Sequence, residues 1–167
     1  FIWVGLDAVG MDRYDPRTGQ FSRVEVRAPR DAPQYPLFLH FMAQDTLGHL
    51  YVTDKWGQLY AVEGARSSRP MLVRPDEALR ARIPAEEVMD LYVEANGDLW
   101  ILYYEELVAV PHSGNGWGEP VHFALPAHRL GVDRMEDRYC LLVDAPNGQL
   151  WMICAREFLG YDLATNT

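Results

Sequence analysis

The sequence predicts an all-β fold built from repeated four-stranded antiparallel sheets, on three observations. A short apolar phrase with a central aromatic recurs four times: Phe1-Ile2-Trp3-Val4, Leu50-Tyr51-Val52, Leu99-Trp100-Ile101 and Leu150-Trp151-Met152. Its anchors Trp3, Tyr51, Trp100 and Trp151 are 48, 49 and 51 residues apart, a near-constant period that marks an array of similar units. Gly48, Gly97 and Gly148 each stand three residues before an anchor, at the end of a polar turn. The segments around the anchors are dense in β-branched and aromatic residues and are punctuated at strand-like spacing.

Each complete unit opens on an apolar stretch: 37–42, 88–93 and 139–143. The polar turn with its glycine follows, so the first strand and the anchor strand meet as an antiparallel hairpin. A third strand is expected at 11–14, 59–62, 107–110 and 158–161. The next turn is clearest at Asp15-Pro16-Arg17-Thr18-Gly19, where Pro presets φ and Gly supplies a left-handed position. Fainter copies stand at 162–166, 63–65 and 112–114. A fourth strand is expected at 21–26, 71–73 and 121–123, and a helical turn in 74–87, where Pro75 and acidic residues open a short helical pattern.

Four short strands per unit of about 50 residues is the pattern of a β-propeller blade. The chain then holds a partial propeller of about three and a half blades: blade 1 (partial) 1–36, blade 2 37–87, blade 3 88–137 and blade 4 (partial) 138–167. Propeller rings close with about four to eight blades, so the expected whole is a larger ring of about seven. The terminal sheets would present sticky edges, met by the rest of the ring or by a second copy.

Composition narrows the function classes. A length of 167 residues with 49% hydrophobic and 23% charged residues suits one folded domain. A net charge of −9 speaks against a nucleic-acid partner. Lys55 is the one lysine. The chain begins at Phe1, inside a repeat, and is expected to be a piece of a longer protein.

The first unit, Ile2-Trp3-Val4-Gly5-Leu6-Asp7 with Gly10-Met11-Asp12-Arg13-Tyr14-Asp15-Pro16-Arg17-Thr18-Gly19-Gln20-Phe21, resembles the repeat of two-component regulator propellers. Gly148-Gln149-Leu150-Trp151 is similar to that family's lead-in. Units two and three depart from it, with Val62 and Val110 where Tyr is expected and no Asp-Pro turn. The resemblance implies the periplasmic sensor domain of a membrane-bound hybrid histidine kinase of Bacteroides-like bacteria. It implies a glycan fragment or other small molecule as ligand, the rest of the full-length protein as partner, possible pairing into a homodimer, and no cofactor.

The anchors are expected to pack between blades, since large aromatics in one repeated register dominate cores. Candidate ligand contacts are placed instead on the turns between second and third strands, at the end where the inter-blade connections also lie. These are Lys55 and Trp56, Tyr103 and Tyr104, and Arg156, aromatic faces and cations of the kind that suit a sugar ring and its hydroxyls. Trp117 is assigned to the opposite end. Among the histidines His40, His49, His112, His122 and His128 no pair has tight metal-ligand spacing. His40 is expected on an inner strand, lining a channel or satisfied there.

Cys140 and Cys154 flank the hairpin around Asn147. An odd-numbered loop sets them opposite each other; an even-numbered one sets Cys140 against Ile153. Free thiols are the expected state. The carboxylates Glu86-Glu87, Glu105-Glu106 and Asp133 to Asp137 read as solvated loop charge, and nucleophile-elbow, phosphate-loop and dinucleotide motifs are missing. The expected function is recognition without catalysis. The alternatives are a propeller enzyme of the streptogramin-lyase or lactonase type, resting on His40 and Asp90 of inner strands, and a protein-interaction scaffold.

Overall fold

A computed structural model describes residues 1–6, 10–24, 39–54, 57–65, 71–73, 77–113, 116–124, 140–145, 149–154 and 157–162. The chain divides into two compact units, Phe1–Ala85 and Glu86–Thr167.

The first unit holds two antiparallel meanders. One is β1 (Ile2–Leu6), β2 (Gly10–Asp15) and β3 (Gln20–Val24), in the order β1-β2-β3. The other is β4 (Leu39–Gln44), β5 (Leu50–Asp54), β6 (Leu59–Glu63) and β7 (Met71–Val73), in the order β4-β5-β6-β7. The two sheets meet through β1 and β4. Their shared core is Met11, Leu39, Leu50, Val52, Tyr60, Val62 and Ala65, with Trp3 and Met42 packed against it. Each large apolar side chain so buried contributes about 1.5–3 kcal/mol. A one-turn helix, α1 (Glu77–Arg80), follows β7 inside the segment where the sequence predicts it.

The second unit repeats the plan. β8 (Asp90–Val93), β9 (Leu99–Leu102), β10 (Glu106–Val110) and, after a small ribbon, the later strand β13 (Val121–Ala124) form a sheet in the order β8-β9-β10-β13. The ribbon is β11 (His112–Ser113) with β12 (Gly116–Trp117). β14 (Cys140–Ala145), β15 (Gln149–Cys154) and β16 (Glu157–Asp162) form a three-stranded sheet, and β14 contacts β8. Strands pair antiparallel within the beat, consecutive in sequence but for the ribbon between β10 and β13, as blades of a propeller require.

The hairpin turns share one construction. The N–H of Asp45 donates to the carbonyl of His49 at 3.0 Å, and that of Gly48 to the carbonyl of Asp45 at 3.1 Å. Glu94–Asp98 repeats both bonds at 2.9 Å. Gly48 and Gly97 have φ of 90° and 96°, so each closes a three-residue loop from the left-handed region. At Gly97 a side chain would also press on His112, whose Nδ1 would lie 3.2 Å from an added Cβ.

The anchors rest on small residues of the next strand. Tyr51 pairs with Ala61, Trp100 with Ala109 and Trp151 with Gly160. Tyr51 and Trp100 are buried, and Trp100 stacks on Phe123 while its indole N–H donates to Glu94 Oε1 at 2.9 Å. Trp3 instead pairs with Arg13, whose guanidinium lies 5.9 Å from its ring and 4.3 Å from that of Phe1.

Two local departures have clear causes. The β4–β5 register shifts between Leu39 and Met42, and the hydroxyl of buried Thr53 accepts the Phe41 N–H at 3.3 Å at that bulge. The stretch read as a simple turn at 112–114 is the β11–β12 ribbon: Gly116, with φ 113°, lets the chain reverse, and His112 and Trp117 pack ring on ring at 4.7 Å.

Candidate functional site

The turns between second and third strands carry the candidate side chains, and that of the second sheet is built as a rigid platform. Asp54 closes β5, and its side chain is 2% exposed. Its carboxylate accepts the Gln58 N–H at 2.9 Å through Oδ1 and the Tyr60 hydroxyl at 3.2 Å through Oδ2. Its backbone closes the turn as in the hairpins, accepting from Gly57 and donating to Gln58, both at 3.0 Å. Gly57 has φ 78°. Four polar contacts therefore fix both ends of the segment that bears Lys55 and Trp56, which themselves lie outside the described residues.

The connection after β7 reaches the same end of the first unit. Gly57, Gln58 and Leu59 line a small cavity of about 60 Å³ with Arg80, Ile83, Pro84 and Ala85. Leu79 is fully buried and its carbonyl accepts from Arg82 and Ile83, so α1 and the residues after it are tied down beside the turn. The volume suits a few waters and no sugar ring, so any ligand here would sit on the surface of this end.

In the second unit the corresponding turn runs from β9 to β10. Tyr103 donates its N–H to the carbonyl of Glu106 at 2.8 Å. Tyr103 is 1% exposed and its ring belongs to the core, whereas Tyr104 is partly exposed. Burial, then the charges of Glu106 and Glu86, push the Tyr103 hydroxyl well above the usual phenol range. Glu106 is not simply solvated: its Oε2 meets His122 Nδ1 of β13 at 2.8 Å. His122 is exposed and Glu106 half-buried, so the pair is worth little in stability, yet it sets a carboxylate and an imidazole at the same end as Tyr104. Arg156, on the β15–β16 turn, lies outside the described residues.

Asp54 and the Glu106–His122 pair were not legible as site residues. The glycine three residues after Asp54 repeats the hairpin spacing and was the available signal. His122 is 16 residues from Glu106 and joins it only through sheet pairing.

The inner-strand residues stand as follows. His40 is exposed on β4 with its ring 4.9 Å from Phe41. Asp90 is buried on β8, where its Oδ1 accepts the Leu91 N–H at 2.8 Å. Among the described residues no group of three His, Cys, Asp or Glu is placed to hold a metal ion. Trp117 belongs to the ribbon after β10, with the anchor-side turns and away from the β9–β10 turn.

No protein-family model and no curated protein matches the chain. Solved structures do. The extracellular domain of BT4673 from B. thetaiotaomicron, described as a one component system, aligns over 96% of the chain at 15% identity with a TM-score of 0.60. A second structure of that domain, described there as part of a hybrid two component system, aligns over 99% at 11% identity with a TM-score of 0.51. The extracellular domain of the hybrid two component system BT3049 from the same organism aligns over 98% at 14% identity with a TM-score of 0.52. The chain spans 21%, 27% and 26% of the lengths of these three. It shares their fold, an all-β array of propeller-type blades.

Proposed function

We propose that this chain is part of the extracytoplasmic sensing propeller of a hybrid two-component regulator, and that it recognises a glycan fragment or similar small polar ligand without transforming it. The observation that carries this reading is the shared fold with extracellular domains of such regulators over nearly the whole chain. The repeat read in the first unit supports it independently. Ligand contacts are assigned to the second–third strand turns: Trp56 and Lys55 on the turn held by Asp54, Tyr104 next in sequence to the enclosed Tyr103, and Arg156. Tyr103 is a support in this arrangement, because its ring is enclosed. Signalling would follow from ligand favouring one arrangement of the full-length receptor over another.

The test is calorimetric titration of the full-length extracytoplasmic region with a panel of oligosaccharide fragments. One fragment class should bind, and Trp56→Ala and Tyr104→Ala should each weaken it roughly tenfold or more, with Trp117→Ala unchanged. Binding that ignores both turn substitutions overturns the site. Turnover of the fragment, or no fragment bound while another protein is, overturns the function.

A further inference from the structure

Cys140 and Cys154 are the two cysteines of the chain, and β14 and β15 pair them directly, Cys140 against Cys154. The register runs without a shift from Ala145↔Gln149 to Cys140↔Cys154, so the odd-numbered loop is the one adopted. In the described hairpins the pair that closes the loop is the hydrogen-bonded one, as Asp45 with His49 and Glu94 with Asp98. Ala145 with Gln149 stands at the same place relative to Gly148. Pairs alternate along an antiparallel ladder, so five steps outward Cys140 and Cys154 fall on a non-hydrogen-bonded pair. Such pairs hold their Cα atoms about 4.5 Å apart, and hydrogen-bonded ones about 5.5 Å; both lie within the range of about 4.4–6.8 Å that a disulfide spans.

We infer that Cys140 and Cys154 form a cross-strand disulfide that locks the inner hairpin of the last sheet. This reverses the expectation of free thiols, because the register that expectation left open is the one that juxtaposes them. The pairing rests on the register alone; its occupancy in the cell rests also on the extracytoplasmic location proposed above, where such bonds persist. Closure is an exchange with a disulfide donor. One cysteine thiolate attacks glutathione disulfide, or an equivalent protein disulfide, and releases one thiol. The second thiolate attacks the mixed disulfide and releases the other. Two electrons pass to the donor, two protons leave the cysteines, and one S–S bond forms for the one broken.

Trypsin cuts after Arg138 and Arg156, so both cysteines fall in one peptide, 139–156, readable in the full-length protein. The native protein is equilibrated in a glutathione redox buffer, quenched with an alkylating agent, and digested. The closed peptide is two hydrogens lighter than the open one and takes no alkyl group. The ratio of closed to open peptide should be roughly a hundredfold greater in the native protein than in concentrated urea, since the native hairpin supplies the loop closure that the unfolded chain must make for itself. A ratio equal to or below that in urea overturns the pairing. Protein taken from its source under alkylating conditions separates the two claims. A closed peptide there supports both; an open peptide from protein that closes in glutathione removes the extracytoplasmic reading and leaves the pairing standing.

Discussion

Gly160 shows at the residue scale how the repeat does its packing. A Cβ built there would stand 2.6 and 2.8 Å from ring carbons of Trp151, closer than real contacts allow. The residues in the same cross-strand position under Tyr51 and Trp100 are Ala61 and Ala109, which do carry a Cβ. The last sheet has therefore brought its indole one methyl closer to the neighbouring strand. Gly160→Ala should destabilise the chain by about 1–3 kcal/mol through overpacking. The converse change, Ala109→Gly, should cost about 0.5–1 kcal/mol from lost backbone restriction and lost methyl contact. Urea midpoints at constant slope measure both, and a neutral Gly160→Ala would mean that the indole does not rest there. The aromatic anchors were legible in the sequence because large residues at a fixed beat stand out. Their platforms were not, although 61, 109 and 160 keep the same beat, because a lone Ala or Gly in a strand carries little signal by itself. Tyr103 failed for the opposite reason: a Tyr-Tyr-Glu-Glu turn reads as exposed, and the sheet buries the first of its rings.

The turn after β5 is the element that decides whether a binding side chain is held or free to move. Asp54 supplies two acceptors to it, for the Gln58 N–H and the Tyr60 hydroxyl, from a nearly enclosed position. Asp54→Ala removes the charged acceptor of a half-buried N–H and of a buried tyrosine hydroxyl, and a hydrogen bond to a charged group is worth about 1.5–3 kcal/mol. The expected loss is about 2–4 kcal/mol, with Asp54→Asn recovering part of it because the amide oxygen can still accept one bond. Denaturant titration gives the stability, and increased protease cutting after Lys55 gives the loosening of the turn. An Asp54→Ala chain as stable and as resistant as the parent would show that the turn is held by something else. The hairpin turns were legible because a glycine stands three residues before Tyr51, Trp100 and Trp151, and Gly57 stands as far after Asp54 as Gly48 does after Asp45, with the same left-handed backbone. The β11–β12 ribbon was not, because a glycine-rich stretch reads as loop whether or not its flanks pair. Of the candidate contacts, Lys55, Trp56 and Arg156 lie outside the described residues, so the sequence alone still places them.

For the molecule as a whole, the beat predicted four-stranded sheets with a partial one at each end, and among the described residues the two middle sheets have four strands while the first and last have three. Among the described residues β1 sits at the margin of the first sheet, where its neighbour in the same unit has an additional strand inside. The residues at that margin are apolar and open: Phe1 is 50% and Ile2 55% exposed. An unpaired strand edge flanked by exposed large side chains is a template for pairing with another chain. The 167-residue polypeptide by itself should therefore self-associate, its apparent mass in sedimentation equilibrium rising with concentration across the micromolar range. Ile2→Lys should push it toward monomer, since a charge on an edge strand resists intermolecular pairing at little cost to the sheet. The net charge of −9 opposes association through long-range repulsion, so added salt should strengthen it in the parent chain. A polypeptide that stays monomeric at high salt and high concentration would mean that the β1 margin is already covered, and that the first sheet is complete with three strands.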